Sequence, residues 1–376
     1  MRNALLGEPA GDIDIATPLP PGEVVQHLQA AGLIAVPTGI EHGTVTAISC
    51  GKPYEVTTLR RDIETFGRRA VVAYTADWKE DAARRDFTIN ALYAGEDGRV
   101  FDYFNGLADL AARRVRFIGD ARTRIREDYL RILRLFRFHA WYGRGSLDRE
   151  SVNAAVNEKS GLNLLSGERV QKELLRLLEA KDPWPTLVAM QEAGILAEIL
   201  PGDLQPMRLR HLIAIQGANA LPLDGVLRLA ALLPDHVTVA RSLAEKLKLS
   251  NVARDRIIDA AEKDSRVGAE LLSSEARKLI YRLGVSRFRD QLLLQWARSA
   301  ASADDPRRLA LFALAQNWQS PQFALNGNDV MALGIEEGPE IGVLLREVEN
   351  WWVENEFAPT RADLLKRLEQ AARKPR

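Results

Sequence analysis

Three groups of side chains in this chain have the types and spacing for chemistry. The first is Asp12 and Asp14, two apart in Gly11-Asp12-Ile13-Asp14. On a strand, residues i and i+2 project from one face, and carboxylates paired there can hold one or two Mg2+ ions through hard oxygen ligands. Two such ions activate an attacking hydroxyl and neutralise a leaving phosphate. Taken alone, the pair reads equally as turn or surface acids. The second group is Asp128 and Arg131, in Glu127-Asp128-Tyr129-Leu130-Arg131. At i and i+3 on a helix they share a face. A carboxylate there accepts from the exocyclic amine of cytosine or adenine, and a guanidinium donates to ring nitrogen or carbonyl acceptors. Uracil and guanine present a carbonyl in place of that amine. A surface ion pair is the plainer reading of any lone Asp-x-x-Arg. The third group is basic: between Arg113 and Arg144 ten arginines stand against three acids, a net charge of about +7. No lysine is among them, and arginine's planar fork suits bidentate grips on phosphates and base edges. A solvated helix face would carry the same charge.

The elements that must position these groups fall into two kinds. Short β-branched runs at 12–16, 43–48 and 54–58 are bounded by glycine or proline and suit strands, with a hairpin turn at Gly51-Lys52-Pro53. Strand alternation in Tyr54-Glu55-Val56 would turn Glu55 toward the aspartate pair as a third carboxylate, or leave it as a strand-edge charge. Beyond about Asp109 the apolar spacing becomes helical, as in Leu130, Ile132, Leu133, Leu135, Phe136 and Phe138. Pro183, Pro201, Pro222, Pro234, Pro306 and Pro359 punctuate the rest at plausible helix boundaries. The plan is an α/β head followed by helices.

Composition agrees with that plan. The 376 residues are 46% hydrophobic and 27% charged, with 51 basic against 51 acidic side chains, as in ordinary globular proteins. Length suggests two or three domains and ample core without metal or disulfide staples. A single cysteine, Cys50, excludes an internal disulfide framework and suits a reducing cytoplasmic setting. No apolar run approaches a membrane span, and the acidic start, with Glu8, Asp12 and Asp14, does not read as a signal peptide. The expectation is no membrane partner.

The order of motifs then narrows the reading. Arg2-Asn3-Ala4-Leu5-Leu6-Gly7 precedes the aspartate pair. Arg84-Arg85-Asp86-Phe87-Thr88-Ile89-Asn90-Ala91 follows. Asp102, Gly106 and Asp109 come next, then Glu127 to Arg131, then Glu168-Arg169 and Glu173. This succession resembles the class II tRNA nucleotidyltransferases, the CCA-adding enzymes, and their relatives the bacterial poly(A) polymerases, through roughly residues 1–205 and more loosely to about 260. The resemblance implies an α+β chain: a polymerase-β-like nucleotidyltransferase head at 1–108, a helical neck at 109–180, a helical RNA-binding body at 181–300 and a helical tail at 301–376.

It also implies roles. Asp12 and Asp14 would be the catalytic, Mg2+-binding aspartates, with Glu55 as the third metal ligand. Arg2, Arg84, Arg85, Asp86 and Asn90 would hold the nucleotide's ribose and phosphates, although Asp86 also suits the cap of a helix running through Ile89 and Leu92. Asp128 and Arg131, assisted by Arg134, would read the base as a protein template, supported by Glu127. Glu168 and Arg169 would brace that helix, or else serve with Ser166 as a plain capping arrangement. The implied reaction is attack of a tRNA 3′-hydroxyl on the α-phosphate of CTP or ATP, adding CCA. The alternatives are a poly(A) polymerase, a partial CC- or A-adding enzyme, or an inactive RNA-binding relative.

Two departures bear on this. The family's motif begins Gly-Gly-x-Val-Arg, whereas this chain begins Met1-Arg2, so a start internal to the motif and a missing first strand are expected. Phe66-Gly67-Arg68 stands where Asp-Gly-Arg is common, which bears on the behaviour of that loop. None of the five histidines is followed by Asp, so a His-Asp phosphohydrolase domain is not expected. His139, in an apolar helix, and Trp351-Trp352 read as packing residues.

Overall fold

A computed structural model describes the backbone of residues 1–9, 11, 13–66 and 69–373, and their side chains apart from 62–72. The β-branched runs form strands. β1 (Asp14–Thr17), β2 (Ile34–Gly39), β3 (Thr44–Ser49) and β4 (Lys52–Thr58) make one sheet in the order β1-β4-β3-β2. β1 is parallel to β4, and the other neighbours are antiparallel. Ser49 faces Lys52 across the β3–β4 hairpin, which closes through Cys50 and Gly51 at φ 50° and 74°. Two successive left-handed residues match the twist of the flanking strands. The turn is therefore centred earlier than Gly51-Lys52-Pro53, and Lys52 and Pro53 belong to β4.

Following the four-residue helix α1 (Arg2–Leu5) and β1, helix α2 (Pro21–Ala30) covers one sheet face, packing Val24 with Val45, Ala47 and Val56. Because Val56 faces this core, Glu55 beside it points to the opposite face. A second hairpin follows, β5 (Arg60–Phe66) with β6 (Arg69–Tyr74). Gly67 and Arg68 of the loop singled out above lie outside the described residues. Helix α3 (Trp78–Ala83) starts on Asp77, whose carboxylate accepts the Lys79 N–H at 2.8 Å.

The expected helix through Ile89 and Leu92 is absent. Thr88–Asn90 form a single 3-10 turn, and Leu92 opens β7 (Leu92–Ala94), paired with β8 (Val100–Asp102). Asp86 is buried beneath that turn and does not cap an exposed helix start. Asp102 ends β8 and accepts the N–H groups of Phe104, Gly106 and Leu107 at 3.1, 2.9 and 2.8 Å, which starts helix α4 (Gly106–Ala111). A Cβ on Gly106 would stand 2.3 Å from the Thr88 carbonyl oxygen, so only glycine lets this helix approach the turn.

Helices α5 (Ala121–Glu127), α6 (Leu130–Tyr142), α7 (Arg149–Glu158), α8 (Gly167–Leu178), α9 (Trp184–Glu192) and α10 (Ile195–Ile199) complete the first of two compact units. That unit spans 1–202 with 223–225 and 243–249. Helix α6 buries Leu130, Ile132, Leu133, Leu135, Phe136, Phe138 and His139. His139 packs in the core with its Nδ1 2.9 Å from Thr186 Oγ1, and burial holds its pKa below the usual histidine value.

The second unit, 203–222, 226–242 and 250–376, is helical among its described residues. Its helix Val285–Ser299 buries Phe288, Leu292, Leu294 and Trp296. Asp235 there takes Arg208, Lys263 and Arg298 at 2.6, 2.8 and 2.8 Å. Burial alone would push this carboxyl up, but the three cations hold it down at about 2. Trp352 lies in a separate core with Leu344, Val348 and Leu364, while Trp351 packs partly buried against it, so both tryptophans serve packing. Among the described residues no helix is long and apolar enough to cross a membrane.

Candidate active site

The parallel register of β1 and β4 sets Asp14 directly opposite Glu55. Side chains directly opposite on neighbouring strands share a face, so both acids project from the sheet face away from α2. Both are exposed, and among the described residues neither has an ion-pair partner. Asp12 lies outside the described residues, and the strand itself begins only at Asp14. Two neighbouring carboxylates without a cationic partner are a hard-oxygen donor set of the type divalent cations take.

Arg84 and Arg85 follow α3 and are organised by an acid that the sequence reading overlooked. Asp81 is 1% exposed. It accepts from Arg84 Nε at 2.9 Å, from Arg85 Nη2 at 3.4 Å and from the Tyr93 hydroxyl at 2.5 Å. Burial would raise its pKa, but Arg84 and the Tyr93 hydroxyl bring it below the usual carboxylate range. Burial and Asp81 together hold the Tyr93 hydroxyl well above its ordinary value, so it stays a donor. Arg85 also lies over the Tyr93 ring, 5.0 Å from its centroid. One carboxylate thus fixes two guanidiniums and leaves an excess positive charge. The i,i+3 and i,i+4 spacing from Asp81 was the available signal in the sequence.

Asp86, Asn90 and Arg2 form a second cluster. Asp86 accepts from the Phe87 N–H at 2.9 Å, from Asn90 Nδ2 at 2.8 Å and from Arg134 at 2.5 Å. Burial pushes this carboxyl up, yet Arg134 and Asn90 outweigh it and the pKa is lowered. Asn90 Oδ1 in turn accepts from Arg2. The Arg2 guanidinium lies over the Tyr142 ring at 4.0 Å and donates to the Tyr142 hydroxyl at 3.1 Å. Both ends of the Asn90 amide are therefore engaged within the protein. Arg134 also pairs with Glu173 at 3.5 Å, and Glu173 with Arg137. Arg134 ties α6 to Asp86 and α8, an engagement that the sequence did not disclose.

The base-reading candidates differ from expectation. Asp128 and Arg131 do not share a helix, because Asp128 is the extended residue between α5 and α6, at φ −157° and ψ 107°. Its Oδ1 accepts the Leu130 N–H at 3.1 Å, holding the start of α6, and its Oδ2 accepts from Arg169 at 2.7 Å. An extended residue whose side chain receives the first free N–H groups is the usual entry to a helix. Arg131 instead donates through Nη1 to Glu127 and to the Arg124 carbonyl, the latter at 2.8 Å. Arg169, on α8, thus connects that helix to this segment. Glu168 is exposed at the start of the same helix, where a hydrogen bond from its own backbone N–H, and after it one from Ser166, lower its pKa.

Comparison with known proteins is consistent with this arrangement. Residues 1–116 match the model of the poly(A) polymerase head domain, and residues 146–203 match that of a probable RNA- and SrmB-binding site of polymerase A. The mitochondrial CCA tRNA nucleotidyltransferase 1 of Danio rerio is 34% identical over 99% of this chain and 86% of its own length. The CCA-adding enzyme of Limosilactobacillus fermentum is 33% identical over 97% of this chain and 90% of its own. The crystal structure of the Bacillus stearothermophilus CCA-adding enzyme in complex with CTP superposes with a TM-score of 0.76 at 27% identity, covering 99% of this chain and 91% of that one.

Proposed function

The chain belongs to the family of CCA-adding tRNA nucleotidyltransferases, and from that premise we propose that it adds CCA to the 3′ end of tRNA from CTP and ATP. A poly(A) polymerase or a partial CC- or A-adding enzyme is disfavoured, because near-full-length relatives carry the CCA-adding name. The observation that carries the proposal is the set of links within one compact unit that tie the backbone of Arg84 and Arg85 through Arg124 to Glu127 and Arg131, and Asp86 and Asn90 through Arg134 to the helix that carries Arg131.

In this reading Asp14 and Glu55, with Asp12, hold divalent cations, which we take to be Mg2+. Bound there, the metal would lower the pKa of the attacking hydroxyl and neutralise charge on the leaving pyrophosphate. The rest falls to the chain's own side chains. Arg84 and Arg85, two cations fixed on Asp81, neutralise the triphosphate. Arg2 and Asn90 order the wall on which the ribose rests. Asp128 spends one lone pair on each of two internal donors and keeps acceptor capacity for a base amine. Arg131 uses only Nη1 among the described residues, which leaves Nε and Nη2 as donors toward the base. Such transfer rests on positioning and charge neutralisation.

We divide the chain into head 1–108, neck 109–180, body 181–300 and tail 301–376, and assign RNA binding to the body. The exposed free thiol of Cys50 suits a cytoplasmic setting. The test is incubation of the full chain with tRNA lacking CCA, Mg2+, and labelled CTP and ATP. Addition of C, C and A followed by arrest is expected. Long A tracts without C, or no incorporation, would overturn the proposal.

A further inference from the structure

Arg124 sits between the two halves of this site. Its side chain is only 11% exposed. Its Nη2 donates to two backbone carbonyls, Arg84 O at 2.5 Å and Arg85 O at 2.7 Å. Its Nη1 donates to Glu127 Oε2 at 2.5 Å, and its own carbonyl accepts from Arg131 Nη1 at 2.8 Å. One guanidinium therefore grips the backbone that carries both phosphate-binding arginines while holding the acid that orients Arg131. Carbonyls just past the end of α3 have no partner within that short helix, and a cation there is favoured by charge as well as geometry.

We propose that Arg124 is a positioning residue for nucleotide selection: it fixes the spacing between the triphosphate grip and the base reader, so that a base matching Asp128 and Arg131 is held only when the phosphates are also seated. This rests on the nucleotidyl-transfer reading above. The planar fork is what the task needs, since its donors lie on two nitrogens a fixed distance apart, whereas a lysine offers a single point charge. Without the link, each half keeps its own contacts but loses its register with the other. Misplacement on the scale of about 1 Å costs up to about 100-fold in rate for a correctly matched substrate. A mismatched nucleotide, already out of register, loses far less, so selectivity falls.

The test compares Arg124→Met, which keeps an apolar stem, with Arg124→Lys, which keeps the charge. Incorporation kinetics and equilibrium binding are measured for CTP, ATP, UTP and GTP. Arg124→Met is expected to raise the KM for CTP and ATP and to shrink the preference for CTP over UTP about tenfold, with Arg124→Lys restoring part of it. A merely structural role would lower kcat for all four nucleotides alike and leave KM and the CTP:UTP ratio unchanged, and that result overturns the proposal. Should Arg124→Met not fold, Glu127→Gln weakens the same link from its other end and carries the same expectation. Wild-type protein that incorporates neither CTP nor ATP would sink the functional reading itself. Wild-type selectivity retained in full by the variants would sink the role of Arg124 alone.

Discussion

Two regions of the first unit treat their charges in opposite ways. On the head-sheet face away from α2, Asp14 and Glu55 stand side by side, exposed and without a cationic partner among the described residues. Between Arg84 and Glu173, by contrast, the acids Asp86, Glu127, Asp128 and Glu173 each carry at least one arginine, and Asp81 just before them carries two. Acids kept in water cost little unpaired, while buried ones must be compensated. The first region is therefore a donor set that a cation can enter without breaking any internal bond. The second is a frame assembled during folding, whose geometry exists before a nucleotide arrives. Substitutions in the two regions should separate activity from stability.

The largest separation is expected at Asp14. Asp14→Asn removes a charge from the exposed donor pair, so incorporation should fall about 10³-fold or more, while the unfolding free energy from urea titration changes by no more than the roughly 0.5 kcal/mol typical of surface changes. A loss of stability matching the loss of activity would place Asp14 in the frame. Next comes Asp86→Ala, which takes the carboxylate acceptor from Arg134 Nε and from the Asn90 amide nitrogen. Breaking a buried pair from one side costs about 3 kcal/mol, and urea unfolding should register it, with activity falling as the folded fraction falls.

A smaller effect follows from pH. The folded-state pKa values of Asp81 and Asp86 are lowered from 3.8, and that of Asp235 to about 2. Each group's contribution is therefore complete above its unfolded value and is lost as pH falls through the folded one. Stability should hold down to about pH 4 and decline below it. Asp86→Asn should flatten that decline. An equally steep acid transition in the variant would show that Asp86 does not contribute to it.

Much of this was legible in the sequence, and the gaps have two causes. The runs at 43–48 and 54–58 became β3 and β4, because β-branched stretches bounded by turn residues leave few alternatives. Helix α6 and the burial of His139 followed from spacing that continues for three turns. What spacing does not encode is which distant group satisfies a buried charge. Arg124 meets carbonyls some forty residues away, and Arg169 meets Asp128 across a similar interval. The Asp128–Arg131 helix face is absent for a local reason: at Asp128 one helix ends and the next is entered, so helical periodicity does not run from Asp128 to Arg131. The same held at Asn90, where a single tight turn stood in place of the expected helix because Leu92 pairs with Asp102 in a strand.

One measurement addresses selection of the base by protein side chains directly: the ratio of CTP to UTP incorporation into tRNA lacking CCA by wild-type protein and by Asp128→Ala. Wild type should favour CTP strongly, and the variant should lose most of that preference while still transferring nucleotides, because Asp14, Glu55, Arg84 and Arg85 are untouched. A variant that remains as selective as wild type would contradict the account.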